Sequence, residues 1–152
     1  MNNENSGKQV WTWIIIAVVV IVAGWWLLSN KTNNSANSTE PIKIGFMGPL
    51  TGEMSYFGAN AKSAVEIAVE EVNSSGGING RSLEVIYEDD KCAGPEAISA
   101  ANKLISIDKV SAIVGSVCSS AVLAFAPVAE NNKTVVMDYC GTAPKISDAG
   151  DY

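Results

Sequence analysis

Small hydroxyl side chains cluster in one short segment, Gly-Ser-Val-Cys-Ser-Ser at residues 115–120. Hydroxyl groups beside the free backbone N–H groups of a helix N-terminus can bind an anion, and a carboxylate fits such a site as well as a phosphate does. The same serines could instead only cap the helix that follows them. The segment therefore predicts either an anion site or an ordinary helix cap.

Two further segments carry candidate side chains. Residues 48–58 lack the glycine spacing of a phosphate-binding loop, but they contain Tyr56 and Phe57, which could form an apolar pocket wall or cap the core. The acidic triplet at 88–90 could suggest a metal site, yet no EF-hand spacing surrounds it, and a solvated strand end is the favoured interpretation. We therefore predict no metal site and no cofactor.

Composition argues against enzymes and against nucleic-acid binding. The chain has no histidine, which removes Ser–His and Cys–His nucleophilic machinery and the commonest zinc ligand. Its net charge is −6 and it has no Lys/Arg-rich run, so it lacks the clustered positive charge that phosphate backbones require. Three cysteines, Cys92, Cys118 and Cys140, permit one disulfide and one remaining thiol.

The elements that must position these side chains alternate along the chain. Periodicity and flanking turn residues predict four strands, at 42–47, 83–87, 110–114 and 134–137. Three helices are predicted between them: one with an apolar stripe over 61–72, one opened by Pro95, and one beginning near Ser119 or Ser120. Pro127 should kink or divide the last helix.

A β-α-β-α-β-α-β order predicts a Rossmann-like α/β fold, a parallel sheet with helices on both faces. Ligands of such sheets bind at the carboxyl ends of the strands, near a switch in strand order. Three loops leave those ends, at 48–58, 115–120 and 138–144. We expect any site to be built there.

The first forty residues have a different character. Residues 10–28 carry no charge and contain a pair of tryptophans near each end, which predicts a transmembrane anchor or signal-anchor in preference to a cleaved signal peptide. Residues 1–9 are expected to be a cytoplasmic tail. Residues 29–40, rich in Asn, Ser and Thr, are expected to be a flexible linker. Residues 41–152 would then lie on the extracytoplasmic side of the cell membrane.

Several motifs together resemble a known family. They are IGFMGPLTGEMSYFG at 44–58, the Gly-Gly-Ile-x-Gly turn at 76–80, Asp-Asp before a cysteine at 89–92, and Cys-Ser-Ser at 118–120. In this order and spacing they resemble the N-terminal lobe of the branched-chain amino-acid (Leu/Ile/Val) periplasmic binding proteins of ABC importers. The resemblance covers nearly all of residues 41–152 and implies a type I periplasmic-binding-protein lobe.

The resemblance also implies roles for individual residues. Ser119 matches a serine that hydrogen-bonds the ligand carboxylate, and Thr142 a threonine that contacts the amino-acid head group. Cys140 matches a position whose backbone carbonyl accepts from the ligand ammonium. Phe57 falls where the family often has an aromatic ring over the ligand. Cys92 and Cys118 match a disulfide that staples the lobe.

The function that the resemblance implies is solute binding for an ABC importer, without catalysis. The ligand would be a branched-chain amino acid or a related small solute, and the partners would be the permease subunits and, through the N-terminal helix, the membrane. The alternative is the ligand-binding sensor region of a membrane receptor or regulator. Family members run to several hundred residues, so we expect this sequence to be a truncated lobe.

Overall fold

The computed structural model describes Trp13, residues 17–25 and residues 40–151. The chain divides into two compact units, Met1–Ser38 and Thr39–Tyr152. In the first unit, residues 17–25 are helical. Among the described residues, no helix is long and apolar enough to cross a membrane. Much of the predicted anchor and nearly all of the predicted linker lie outside those residues.

The second unit has the predicted alternation of strands and helices. Its strands are β1 (Ile42–Gly48), β2 (Leu83–Asp89), β3 (Ala112–Val114) and β4 (Val135–Met137). Its α-helices are α1 (Ser55–Ser74), α2 (Gly94–Asn102) and α3 (Ser119–Asn131). A π-helical segment, Lys103–Asp108, extends α2, and a 3₁₀-helix, Pro144–Asp148, follows β4.

The four strands form one parallel sheet in the order β2-β1-β3-β4. From β1 the chain first moves to β2 at one edge of the sheet. It then crosses back over β1 to β3 and continues to β4 at the opposite edge. Because parallel crossovers are right-handed, this reversal places α1 on one face and both α2 and α3 on the other. The observed architecture is the predicted α/β fold with helices on both faces.

The main core lies between the sheet and the α2–α3 pair. Leu104, Ile113 and Phe125 are each fully buried there. Burying a side chain of that size stabilises the fold by roughly 1.5–3 kcal/mol. Small residues bring the two helices together, since a Cβ added at Gly94 would already meet the Cβ of Ala124 at 3.3 Å.

Two local features differ from the sequence interpretation for reasons of packing. Of the two outcomes predicted at Pro127, a division of α3 is wrong, because the helix is continuous and Phe125 and Ala129 on either side of Pro127 are held in the core. The apolar stripe of α1 is narrower than the sequence suggests: Ala64 and Ala68 are exposed. The helix α1 packs mainly against β1 and β2, so the part of its apolar stripe that holds Ala64 and Ala68 has no strand beneath it.

Candidate functional site

Three loops meet at the carboxyl edge of the sheet, where strands β1, β3 and β4 end. The strand order reverses at β1, which pairs with β2 on one side and β3 on the other. Parallel α/β sheets bind ligands at this edge, beside the point of reversal. The structure therefore brings the three predicted loops to the edge where this architecture builds its sites.

Ser119 joins two of these loops. It is the first residue of α3, and its Oγ accepts hydrogen bonds from the backbone N–H groups of Thr142 at 3.0 Å and Ala143 at 3.2 Å. The N-cap residue of α3 is Cys118, and no side chain makes a cap hydrogen bond there. The interpretation of Ser119 or Ser120 as a side-chain cap is therefore wrong. Ser119 instead ties the start of α3 to the loop after β4.

These two bonds limit what the Ser119 hydroxyl can still do. A serine hydroxyl has one donor proton and two acceptor lone pairs. Because Thr142 and Ala143 donate to the oxygen, its remaining capacity is to donate the proton. The first backbone N–H groups of a helix also have no carbonyl partner within that helix. The start of α3 is therefore equipped to face an acceptor, and most strongly an anionic one.

The loop after β4 is shaped by Asp138. Its Oδ1 accepts from the backbone N–H groups of Cys140 at 3.2 Å and Gly141 at 2.9 Å. Cys140 is a free, exposed cysteine, and the side chain of Thr142 is exposed as well. The turn thus holds Cys140 and Thr142 at the surface, and Ser119 fixes the Thr142 backbone from the other side.

Phe57 lies in the first turn of α1, at the end of the loop after β1. It is 51% exposed, and its ring meets that of Tyr56, itself 71% exposed, edge-on at 5.8 Å. The interpretation of these aromatics as a cap on the core is therefore wrong. Among the predicted site residues, the structure brings Ser119 and Thr142 into direct contact, whereas the ring contact of Phe57 is with Tyr56.

The acidic triplet at 88–90, which forms the end of β2 and the residue after it, has a structural role that the sequence did not reveal. Asp89 Oδ1 accepts from the backbone N–H of Leu50 at 2.8 Å and of Lys91 at 3.0 Å, and its Oδ2 accepts from the Thr51 hydroxyl. Burial raises the pKa of Asp89, but the hydrogen bonds from Thr51, Leu50 and Lys91 outweigh burial and lower it overall. Asp89 therefore anchors the loop after β1.

Asp90 corrects the prediction of a solvated strand end, because it is fully buried. Its Oδ1 accepts from the backbone N–H of Cys92 at 2.9 Å, and its Oδ2 accepts from the hydroxyl of Ser116, which is also fully buried. The Cys92–Cys118 disulfide implied by the family resemblance is present, with the two Cα atoms 5.3 Å apart. Buried polar contacts and a covalent bond thus join the ends of β2 and β3.

Tyr139 also lies at this edge, and the sequence did not predict it as a site residue. Its ring stacks on Phe46 with centroids 5.8 Å apart, and its hydroxyl donates to the Met47 carbonyl at 3.5 Å. Burial raises the pKa of Tyr139 above its usual range, and the nearby carboxylates of Asp90 and Asp138 raise it further. These two carboxylates place negative charge near this hydroxyl. An aromatic two residues beyond a predicted strand was the available signal.

An open groove of about 430 Å³ lies beside the outer strand β2 and helix α2, and its lining includes Asp89 and Lys91 at the carboxyl end of β2. Its lining also includes Glu88 and Lys103, whose charged groups are 2.6 Å apart. Lys103 also pairs with Asp108 at 2.9 Å. Because these charges satisfy one another at an exposed surface, we interpret the groove as a solvated surface feature.

A sequence profile described as periplasmic binding protein matches residues 41–151. The chain belongs to the periplasmic binding protein family. The matched region holds the whole sheet and every loop of the candidate site. Membership confirms the family that the motifs of residues 44–120 indicated.

Individual relatives agree with this assignment. The chain is 34% identical over 113 residues to a leucine-, isoleucine-, valine-, threonine- and alanine-binding protein of Pseudomonas aeruginosa, covering 74% of this chain and 30% of that protein. It is similar to a branched-chain amino acid transporter substrate binding protein of Streptococcus pneumoniae in complex with isoleucine, with a TM-score of 0.71 and 32% identity, over 74% of this chain and 32% of that one.

A second solved structure differs in its ligand. It is a solute binding protein of an ABC transporter from Rhodopseudomonas palustris in complex with 3,4-dihydroxy benzoic acid. Its TM-score is 0.68 at 26% identity, and the match covers 74% of this chain and 30% of that chain. The chain thus spans about 30% of the length of these periplasmic binding proteins. They are described as binding proteins, in agreement with the expectation of a non-enzyme.

Proposed function

We propose that this chain contributes the first lobe of an extracytoplasmic solute-binding protein of an ABC importer, and that its ligand is a small carboxylate, with branched-chain amino acids as the first candidates. The observation that carries the proposal is the hydroxyl of Ser119. Both of its acceptor positions are taken by Thr142 and Ala143, so it can only donate to a ligand.

A carboxylate is the ligand group that suits this donor best. A hydrogen bond to a charged acceptor is roughly twice as strong as one between neutral groups, and the start of α3 adds the favourable end of the helix dipole. Isoleucine and 3,4-dihydroxy benzoic acid, the ligands of the two similar structures described above, differ in shape but share a carboxylate. The shared group supports a common anchor at Ser119.

The surroundings favour an amino acid over an aromatic acid. Negative charges of Asp90 and Asp138 act on the Tyr139 hydroxyl at the same edge, and a ligand ammonium would be attracted by that potential. In the proposed arrangement the Thr142 hydroxyl and the Cys140 backbone carbonyl contact the head group. Phe57, exposed beside the loop after β1, lies against the apolar side chain of the ligand.

The remaining parts of the proposal come from the relatives. Those periplasmic binding proteins are about three times as long as the matched region, so a second lobe would supply the other half of the ligand contacts. The partner would be an ABC permease. Residues 10–28 would hold the domain at the outer side of the cytoplasmic membrane, an arrangement that a sensor with the same ligand site would share.

Calorimetry on the full-length protein tests this function. The panel is leucine, isoleucine, valine, benzoate and 3,4-dihydroxybenzoate, and the matched control is 3-methylbutylamine, which is leucine without its carboxylate. We expect binding of at least one of the amino acids and none of the amine. Binding of the amine as tightly as leucine, or of none of the carboxylates, would contradict the proposal. Binding of the aromatic acids alone would overturn only the amino-acid part.

A further inference from the structure

One fully buried carboxylate, that of Asp90, lies behind the candidate site and is not used by the proposed ligand contacts. A buried carboxylate is costly unless it is hydrogen-bonded. Here each oxygen has a separate donor: the backbone N–H of Cys92 for Oδ1 and the hydroxyl of Ser116 for Oδ2. The Asp90 side chain therefore links the turn after β2 to the loop after β3.

The link continues to the first turn of α3. Ser116 Oγ accepts from the backbone N–H of Cys118 at 3.4 Å, and Cys118 is the N-cap of the helix that begins with Ser119. The backbone of Asp90 also donates to the Gly48 carbonyl at 3.1 Å, so the same residue is fixed to the end of β1. Asp90 is thus held by the sheet and in turn holds the loop that leads into α3.

We propose that Asp90 is a positioning residue that sets the start of α3, so that Ser119 reaches Thr142, Ala143 and the ligand together. The inference rests on the proposed function for its ligand-binding consequence. Ser116 has one proton, and an acceptor at Asp90 fixes its direction, which turns the lone pairs of Ser116 towards Cys118. An amide in place of the carboxylate has only one acceptor oxygen, so it cannot accept from both the Cys92 N–H and the Ser116 hydroxyl. With that oxygen kept on Cys92, its NH2 group faces Ser116 and this orientation is lost.

Asp90→Asn in the full-length protein tests the proposal, because it keeps the shape of the side chain while it removes the charge and changes the hydrogen-bonding pattern. Ser116→Ala is the second variant: it removes the donor from the other side and leaves the charge of Asp90 in place. Val110→Ala is the matched control: Val110 is buried and lies two residues before the amino end of β3, opposite to the loop, so its truncation lowers stability without touching the loop.

Two readouts separate positioning from general stability. The first is the NMR signal of the Thr142 and Ala143 amide protons, which Asp90 does not contact. In Asp90→Asn and in Ser116→Ala, we expect both amide signals to shift upfield and to depend more strongly on temperature. In Val110→Ala we expect neither change. The second is calorimetric affinity for L-isoleucine, which should weaken about tenfold in the two loop variants and stay at the wild-type value in the control.

The two readouts test different parts of the proposal. Unchanged Thr142 and Ala143 amide signals in Ser116→Ala and in any folded Asp90→Asn would overturn the positioning role. So would changes no larger than those in Val110→Ala. Shifted amide signals without any binding of L-isoleucine by the wild type would support the positioning role and count against the proposed ligand. If Asp90→Asn does not fold, Ser116→Ala decides the question by itself.

Discussion

Ser119 fills two roles with one hydroxyl, because its lone pairs and its proton serve different partners. The lone pairs hold the loop after β4 through Thr142 and Ala143, and the proton remains for an acceptor. The sequence predicted a serine at a helix start but not this bridge, since Ser119 and Thr142 are 23 residues apart in the chain. A long-range contact of this kind is set by the sheet order rather than by local pattern.

At this scale, Ser119→Ala and Thr142→Ala should each weaken ligand binding. The loss of a hydrogen bond to a charged group costs about 1.5–3 kcal/mol, which is roughly ten- to a hundredfold in affinity. Ser120→Ala is the matched control, because its exposed hydroxyl makes only a long contact of 3.5 Å to the Cys92 carbonyl. Calorimetry on all three variants checks this, and equal affinity in Ser119→Ala, Thr142→Ala and the wild type would remove both residues from the site.

Asp89 gives a prediction about acid stability. Its pKa is lowered in the folded state from 3.8, because the hydrogen bonds from Thr51, Leu50 and Lys91 outweigh its burial. The stabilisation of the fold by the ionised Asp89 carboxylate is therefore complete above the pKa of the unfolded state. It is lost as the pH falls through the lower pKa of the folded state. The difference in unfolding free energy between the wild type and Asp89→Asn should be largest near neutral pH and shrink below about pH 4.

Urea unfolding at a series of pH values measures that difference. Glu84→Gln, at an exposed carboxyl on the same strand, is the control and should change stability little at any pH. A difference between the wild type and Asp89→Asn that stays constant from neutral to acid pH would show that the Asp89 carboxylate does not anchor the loop after β1.

At the scale of the elements, the alternation of strands and helices was predictable because apolar periodicity is a local signal. The strand ends were also predictable, and with them the loops that form the site. The burial of residues at the carboxyl edge was not predictable. Asp90 belongs to an acidic triplet whose composition is typical of a solvated strand end, and its partner Ser116 is 26 residues away in the chain. The continuity of α3 through Pro127 likewise depends on the core that holds Phe125 and Ala129.

The Cys92–Cys118 disulfide joins the turn before α2 to the start of α3, and it should stabilise the lobe substantially. Closing a loop with a sequence separation of 26 contributes about 3–4 kcal/mol on the chain-entropy model. We expect Cys92→Ser/Cys118→Ser to lose that amount in chemical denaturation, while Cys140→Ser loses little. Mass spectrometry of non-reduced peptides should find Cys140 unpaired. A bridge that contains Cys140 would contradict this pairing.

At the scale of the whole molecule, residues 1–40 are predicted to tether the binding domain outside the cytoplasmic membrane. The prediction depends on the uncharged run at 10–28 and on the tryptophans near its two ends. Carbonate extraction should leave the protein in the membrane, and external protease should reach the domain. A variant without residues 10–28 is the control and should be released. A soluble mature protein that begins beyond Leu28 would contradict the tether.

The central claim is that Ser119 recognises a ligand carboxylate, and calorimetry with an acid and its matching amide tests it most directly. L-Isoleucine and L-isoleucinamide share the ammonium and the side chain, and they differ in the charge of the group that would face Ser119. The full-length wild type should bind the acid roughly ten- to a hundredfold more tightly than the amide, and Ser119→Ala should lose most of that preference. The same preference in both proteins, or none in the wild type, would contradict the account.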